Sequence, residues 1–484
     1  MFDIIVIGND LGALTAASLA AHRGRRTILI EDPPKPQASH FSGYTFDNDV
    51  VPWTGFESDG ISARFLKLIG IDYEHHGDSA GTLLQLIFDN RRIDLEHDIG
   101  ARARKIARTF DLDEKKIAKI FSRTVHDGGL VAELFRNQAS SQRNELKSHI
   151  NILCKKILYF LRRFTCNLPV GHSAEHRFIQ KTFECEHNLF SRYGSGNRYF
   201  AFYPYLISQS FSKRSCLPLG RKETIFSAVR ERFLALGGSV VSCSNVLRFK
   251  MGRDIDIDIE ADGTFSTISG RTVIISTKWR KFPLFLKRNR RFSHFGKKLA
   301  LQTRSRYPFT LHIGVNENNI PDKMAEQVML SSETGSSSSH PMNNIYIHTS
   351  IPGDRAVAPP GKRASSFTAF LSESPASTSD AKLEAVANDM LKTMKWHFPF
   401  FLNDIDFIDV EKSIALSRTC QHMYDGENGM EQYMLSATFP MSGATALPNV
   451  FFTGGELLPF SGFEGDMLSA IETAKTAIGE LFYV

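Results

Sequence analysis

The segment from Phe2 to Glu31 constrains this chain more than any other. Phe2-Asp3-Ile4-Ile5-Val6-Ile7 is a short apolar run rich in β-branched side chains, the pattern of a strand buried on both faces. It leads into Gly8-Asn9-Asp10-Leu11-Gly12-Ala13, then into an Ala/Leu-rich stretch ending at Arg23-Gly24, which predicts a helix stopped by Gly24. Thr27-Ile28-Leu29-Ile30 predicts a second buried strand, closed by Glu31. Strand, glycine turn, helix, strand and acid, with Glu31 23 positions after Gly8, match the βαβ dinucleotide fingerprint. In that fingerprint the acid accepts hydrogen bonds from a ribose hydroxyl.

The match departs at one position. Against GxGxxG, Gly8 takes the first place and Ala13 is an allowed third, but Asp10 stands where the second glycine belongs. That glycine lets a pyrophosphate approach the backbone closely. A carboxylate adds bulk and like charge there, and weakens binding unless the side chain turns away. Asp is also a good helix N-cap, which gives Asp10 somewhere else to turn.

The other end of the chain supplies a partner for this unit. Asn449-Val450-Phe451-Phe452-Thr453-Gly454-Gly455-Glu456 predicts a buried strand ending in glycines and an acid. Pro459-Phe460-Ser461-Gly462-Phe463-Glu464-Gly465-Asp466-Met467 follows as a Gly-rich turn, and a helix over Leu468–Leu481 closes the chain. Read alone, these glycines are turn residues. The two ends, in this order, resemble the flavin amine oxidase superfamily, and within it the phytoene desaturase and carotenoid isomerase group.

The resemblance implies an α/β protein with a Rossmann-like FAD-binding domain assembled from residues 1–60, 215–277 and 441–484. A mixed α+β substrate domain would take 61–214 and 278–440. It also implies an FAD site built from Gly8, Asp10, Leu11, Gly12, Ala13 and Glu31, with Val246 lying against the adenine through its backbone. Gly455 and Glu456 would hold the ribityl chain or a phosphate-side hydroxyl. Gly462 and Gly465 would shape the turn, and the Asp466 and Met467 amides would face the pyrimidine end of the flavin, where a helix N-terminus suits a reduced ring. Gly43-Tyr44-Thr45-Phe46-Asp47 resembles a second flavin-contacting stretch, although Ser39-His40-Phe41-Ser42 stands where the family carries Gly-Gly-Arg.

The middle of the chain agrees with this layout. Leu217-Pro218-Leu219-Gly220-Arg221 precedes an amphipathic helix predicted over Glu223–Leu236, stopped by Gly237-Gly238. Strand pieces follow at 239–241 and 245–247. Asp254–Glu260 alternates Asp and Ile as an exposed hairpin strand turning at Asp262-Gly263, and Thr272–Ser276 returns to the buried sheet.

Basic segments bear on partners. Residues 278–306 hold eleven Lys and Arg and no acid, interleaved with Trp279, Phe282, Phe285 and Phe292. Residues 147–163 mix Lys155, Lys156, Arg162 and Arg163 with Leu and Ile. Such mixtures suit an anionic membrane surface, and equally suit a solvated face or helices packed over a substrate tunnel. No nucleic-acid module accompanies the charge, and a net charge of +6 alone implies no nucleic-acid partner. The 38 Phe against 3 Trp read as a Phe-rich core, or in part as the lining of an apolar tunnel. Six Cys without CxxC spacing read as reduced thiols of a cytoplasmic protein, and no secretory signal or spanning segment is expected.

No triad spacing marks a catalytic nucleophile, and His397 and His422 read as structural or exposed. The expected function is an FAD-dependent oxidoreductase, desaturase or isomerase in type, acting on an apolar, isoprenoid or lipid-like substrate at a membrane surface. The flavin would carry the redox chemistry and an external acceptor such as a quinone would reoxidise it. The alternative is a flavin-free binding protein of the same fold, like the GDP dissociation inhibitors, a loss that Asp10 would signal. A soluble amine or porphyrinogen oxidase is a further enzymatic alternative.

Overall fold

The computed structural model describes residues 1–32, 38–48, 55–56, 60–72, 82–88, 91–96, 98–139, 179, 182, 185, 221–279, 281–288, 292, 307–331, 344–421, 443–445, 447–454, 457 and 462–479. Two seven-stranded sheets organise these residues, with a two-stranded hairpin beside them. In the first sheet β1 (Phe2–Ile7) pairs in parallel with β2 (Thr27–Glu31) and with the second half of β10 (Thr264–Ser276). The parallel run extends from β2 to β7 (Ser239–Ser242) and from β10 to β16 (Val450–Thr453). The parallel order is therefore β7-β2-β1-β10-β16.

Continuous apolar runs make this possible. Ile4–Ile7, Ile28–Ile30, Val273–Ile275 and Val450–Phe452 are all buried, as strands covered on both faces require. The first half of β10 folds back antiparallel on β9 (Ile255–Ala261), which pairs with β8 (Asn245–Met251). Asp262 and Gly263 make that turn with φ of 48° and 71°, the positive values a tight hairpin needs. The Asp/Ile alternation of β9 buries Ile255, Ile257 and Ile259, so the strand is half-covered instead of exposed.

One face of the sheet is covered by α1 (Leu11–His22), α2 (Ile61–Leu68), α5 (Arg221–Ala235) and α9 (Gly462–Ile478), which share one apolar core. The small side chains of α1 let its neighbours pack closely, and Leu11 through Ala21 are all buried. The other face is covered by Trp279, Phe282, Phe285 and Phe292, the middle two on α6 (Phe282–Arg288).

The second sheet runs β15 (Ile405–Ile408), β11 (Tyr307–Asn316), β14 (Lys362–Leu371), β13 (Asn344–Thr349), β12 (Gln327–Ser331), β5 (Thr82–Phe88), β6 (Arg91–Glu96). Every pairing is antiparallel except β12 with β5. Helices α7 (Asp380–His397) and α8 (Val410–Gln421) pack on it, and α3 (Ile99–Phe110) and α4 (Glu114–Ala139) cover the β5–β6 end. The hairpin of β3 (Ala38–Phe41) and β4 (Tyr44–Asp47) leans on this sheet, where the Tyr44 hydroxyl donates to Asp406 at 2.7 Å.

The first sheet thus draws on 2–31, 239–276 and 450–453, and the second on 82–96, 307–371 and 405–408. Packing carries two pieces across the expected boundaries. Phe65, Leu66 and Ile69 sit in the core with α1, and Trp279, Phe282 and Phe285 sit under the first sheet.

Candidate functional site

The parallel order reverses direction at β1 and β10, and in open α/β sheets ligands bind in the crevice beyond the strand ends at such a point. Three chain segments meet there. Gly8 leaves β1 with φ of 148°, and a Cβ on it would lie 2.7 Å from the Ser276 Cβ and 2.9 Å from the Ala13 Cβ. Only glycine fits this crossing. Gly12 is nearly as tight, since a Cβ there would lie 2.9 Å from the Asp10 carboxylate and 3.3 Å from the Asp466 carbonyl. Helix α9 therefore reaches the same crevice as α1.

Asp10 has turned back onto its helix. Its Oδ1 accepts from the N–H groups of Gly12 at 2.9 Å and Ala13 at 3.2 Å, two of the donors a helix start leaves open. Its Oδ2 accepts from the Ser276 hydroxyl. Ser276 Oγ in turn accepts from the Lys278 N–H at 3.1 Å, and the Lys278 ammonium pairs with Asp466. Burial pushes the Asp10 carboxyl above its ordinary range, Lys278 opposes that, and the like charge of Asp466 adds to it. This cluster of two carboxylates and one ammonium sits where the fingerprint turns toward a pyrophosphate.

The other expected contacts also have partners within the chain. Glu31, at the end of β2, accepts from Arg230 Nε at 3.3 Å and from the Ser242 hydroxyl at 2.9 Å. One bond on each oxygen leaves further acceptor capacity, because a carboxylate takes about four. The Val246 N–H donates to Asp32 Oδ2 at 3.1 Å, so an adenine contact through that N–H requires giving up this bond. Trp279 Nε1 and Lys281 Nζ reach the same oxygen, at 3.1 Å and 3.2 Å.

At the far end, α9 begins at Gly462 instead of Leu468. Helix geometry then leaves open donors on its first three residues, Gly462 to Glu464, and places the Asp466 and Met467 amides inside the helix. Met467 is fully buried in the core with α1, and the Asp466 side chain turns to Lys278. Gly455 and Glu456 lie outside the described residues, as do His422 and the segment 147–163. His397 is half-buried at the end of α7.

Ser276, Lys278, Asp32 and Trp279 were not singled out by motif. Their signal is position: Asp32 follows β2 and Lys278 follows β10, both at strand ends facing the crevice. Among the described residues no group of three or more His, Cys, Asp and Glu side chains is placed to hold a metal ion.

The backbone of this crevice fits a dinucleotide: the Gly8 crossing, the close approach at Gly12, the acid at Glu31 and a second helix against the start of the first. One side chain resists it. Giving up the Asp10 cap costs about 1 kcal/mol. An ionised Asp10 about 4 Å from a phosphate costs about 4 kcal/mol at an effective dielectric of ~20. Micromolar to nanomolar binding is worth about 8–12 kcal/mol. The charge on Asp10, and not its hydrogen bonds, is therefore the main opposition to a dinucleotide at this place.

Comparison with solved structures agrees with the architecture. The fold matches that of cyclohexylamine oxidase from Brevibacterium oxydans, with a TM-score of 0.57 over 99% of this chain and 98% of that one at 12% identity. It matches putrescine oxidase bound to putrescine, with a TM-score of 0.55 over 99% of both chains at 14% identity. An oxidoreductase from Methanosarcina mazei matches with a TM-score of 0.54 over 97% of this chain and 98% of that one, at 13% identity. No family model and no curated relative matches the sequence. The described residues thus share the α/β fold of these oxidoreductases, with the first sheet Rossmann-like.

Proposed function

We propose that the chain is an FAD-dependent oxidoreductase acting on an apolar substrate. The observation that carries this is that the capped start of α1 and the second turn of α9 meet at the switch point of a parallel sheet whose neighbouring strand ends in Glu31. The dipole of α1 favours the phosphates of a dinucleotide at that place. Bound FAD supplies two-electron oxidation of a substrate C–H bond. Gly8 and Gly12 keep the approach open, and Glu31 orients a ribose. The second sheet would carry the substrate, desaturase- or isomerase-type in the reading favoured by the resemblance.

A membrane-surface substrate has a different support than residues 278–306 as a whole. The described aromatic residues of that segment, Trp279, Phe282, Phe285 and Phe292, are core residues. Trp396 and Phe400, 78% and 71% exposed, instead offer large apolar side chains to solvent, with Lys392 and Lys395 exposed nearby. Aromatic rings with lysines suit the headgroup layer of an anionic bilayer. Among the described residues no helix is long and apolar enough to cross one. Co-sedimentation with anionic vesicles, lost in Trp396→Ser/Phe400→Ser, is the expected result, and equal sedimentation of both proteins would remove this part of the proposal.

The flavin-free reading is favoured by a separate observation, that Asp10, Glu31 and the Val246 N–H are all engaged within the chain. The visible spectrum separates the two. Purified protein given FAD at mildly acid and mildly alkaline pH, then desalted, is expected to keep flavin bands worth up to one equivalent. A protein that stays colourless at both pH values would be a binding protein of this fold.

A further inference from the structure

We infer that dinucleotide binding at this crevice takes up a proton at Asp10, so that FAD affinity falls as pH rises. The inference rests on the flavin reading above and concerns how the site admits its ligand. Asp10, Asp466 and Lys278 together carry one net negative charge when all are ionised, and Ser276 Oγ joins the Asp10 carboxylate to the Lys278 backbone. A diphosphate at the α1 start would add negative charge against that cluster. Helix α1 has no acid in its first turn, β1 contributes Gly8, and β16 contributes Gly454, so among the described residues the charged groups facing Asp10 are Lys278 from the end of β10 and Asp466 from α9.

Lys278 is already paired with Asp466, and drawing it to a phosphate would leave Asp466 buried without its cation. Protonating Asp10 removes the like charge instead, and leaves the Lys278–Asp466 pair intact. The neutral carboxyl keeps an acceptor oxygen and gains a hydroxyl that donates to a phosphate oxygen. Asp10 is poised for this, because burial and Asp466 already favour its protonated form. The residue that spoils the glycine fingerprint thereby sets the pH at which the site fills.

The test is FAD titration of the full-length protein across pH, read by flavin fluorescence and by calorimetry in two buffers of different ionisation enthalpy. Wild type is expected to weaken by about tenfold per pH unit above the Asp10 titration, with about one proton taken up per FAD. Asp10→Asn keeps a capping side chain and removes the charge, so its affinity is expected to stay flat with pH, near the acid limit of wild type. Asp10→Ser provides a second uncharged cap, and thermal melts check that each variant folds. FAD binding that is equally flat in wild type and Asp10→Asn, or calorimetry showing no proton uptake, would overturn the inference and leave the flavin reading standing. Absence of FAD binding in all three proteins at every pH would overturn both.

Discussion

Two helices of this protein start on the same residue type and end up with different duties. Helix α1 is capped by Asp10, which accepts from Gly12 and Ala13, and helix α3 is capped by Asp98, which accepts from Ala101 at 2.6 Å. Locally the two are the same device, a carboxylate answering open N–H groups. Asp98 stands exposed. Asp10 is half-buried at the end of a parallel strand, between Ser276, Lys278 and a second helix. The cap chemistry comes from the residue, and the consequence comes from what the fold brings to it from more than two hundred and fifty positions away.

Changes around the buried cap should have the largest effects. Gly8→Val forces a β-branched residue into a φ of 148° and puts a Cβ within 3 Å of two others, those of Ser276 and Ala13. Backbone strain and overpacking together predict a loss of about 4 kcal/mol or more, read by denaturant unfolding. A variant that melts like wild type would mean that the crossing is looser than described. Lys278→Met comes next, because it strands the buried Asp466 and takes the nearby cation from Asp10. Breaking such a pair costs about 3–5 kcal/mol. The deficit is expected to shrink as pH falls and Asp10 takes up a proton, and a deficit that ignores pH would sever Lys278 from Asp10.

Asp10→Asn sharpens the comparison by separating cap from charge. The Asp10 carboxyl is raised by burial, so the folded state binds a proton that the unfolded state releases near 3.8. Wild-type stability should therefore fall as pH rises from about that value through the raised one. Asp10→Asn lacks that slope, and its melting temperature should gain on wild type with pH. Parallel melting curves across this range would show that Asp10 carries no buried charge to relieve.

Much of the first sheet could be read from the chain. The predicted strands at Phe2–Ile7 and Thr27–Glu31, the helix before Gly237 and the Asp262-Gly263 turn all lie where local pattern put them. The local rule that Asp caps helices also anticipated the turn of Asp10 onto α1. What local pattern did not reach depends on distant partners. Trp279 and Phe282 read as one side of a basic amphipathic segment, and only the sheet above them makes them core. The α9 start lay hidden because Gly462 and Gly465 read as a turn, although Glu464 and Asp466 are acids suited to a first helical stretch. The second sheet joins β5 to β12 across more than two hundred residues, a pairing that no periodicity announces.

The smallest predicted effect completes the contrast. Asp98→Ala removes one exposed acceptor from the start of α3 and leaves the Ala101 N–H to water. The cost should be that of a cap, about 1 kcal/mol. No charged neighbour from a distant strand is stranded by it, and α3 packs against β6 and α4, away from the switch point. FAD affinity and its pH dependence should therefore match wild type, in titrations run beside those of Asp10→Asn. A shift in FAD affinity from Asp98→Ala would break the comparison, because it would mean that cap loss alone, transmitted through the fold, can do what the Asp10 charge is held to do. An unchanged affinity with a modest stability loss assigns the difference between the two aspartates to the buried charge cluster at the end of β10.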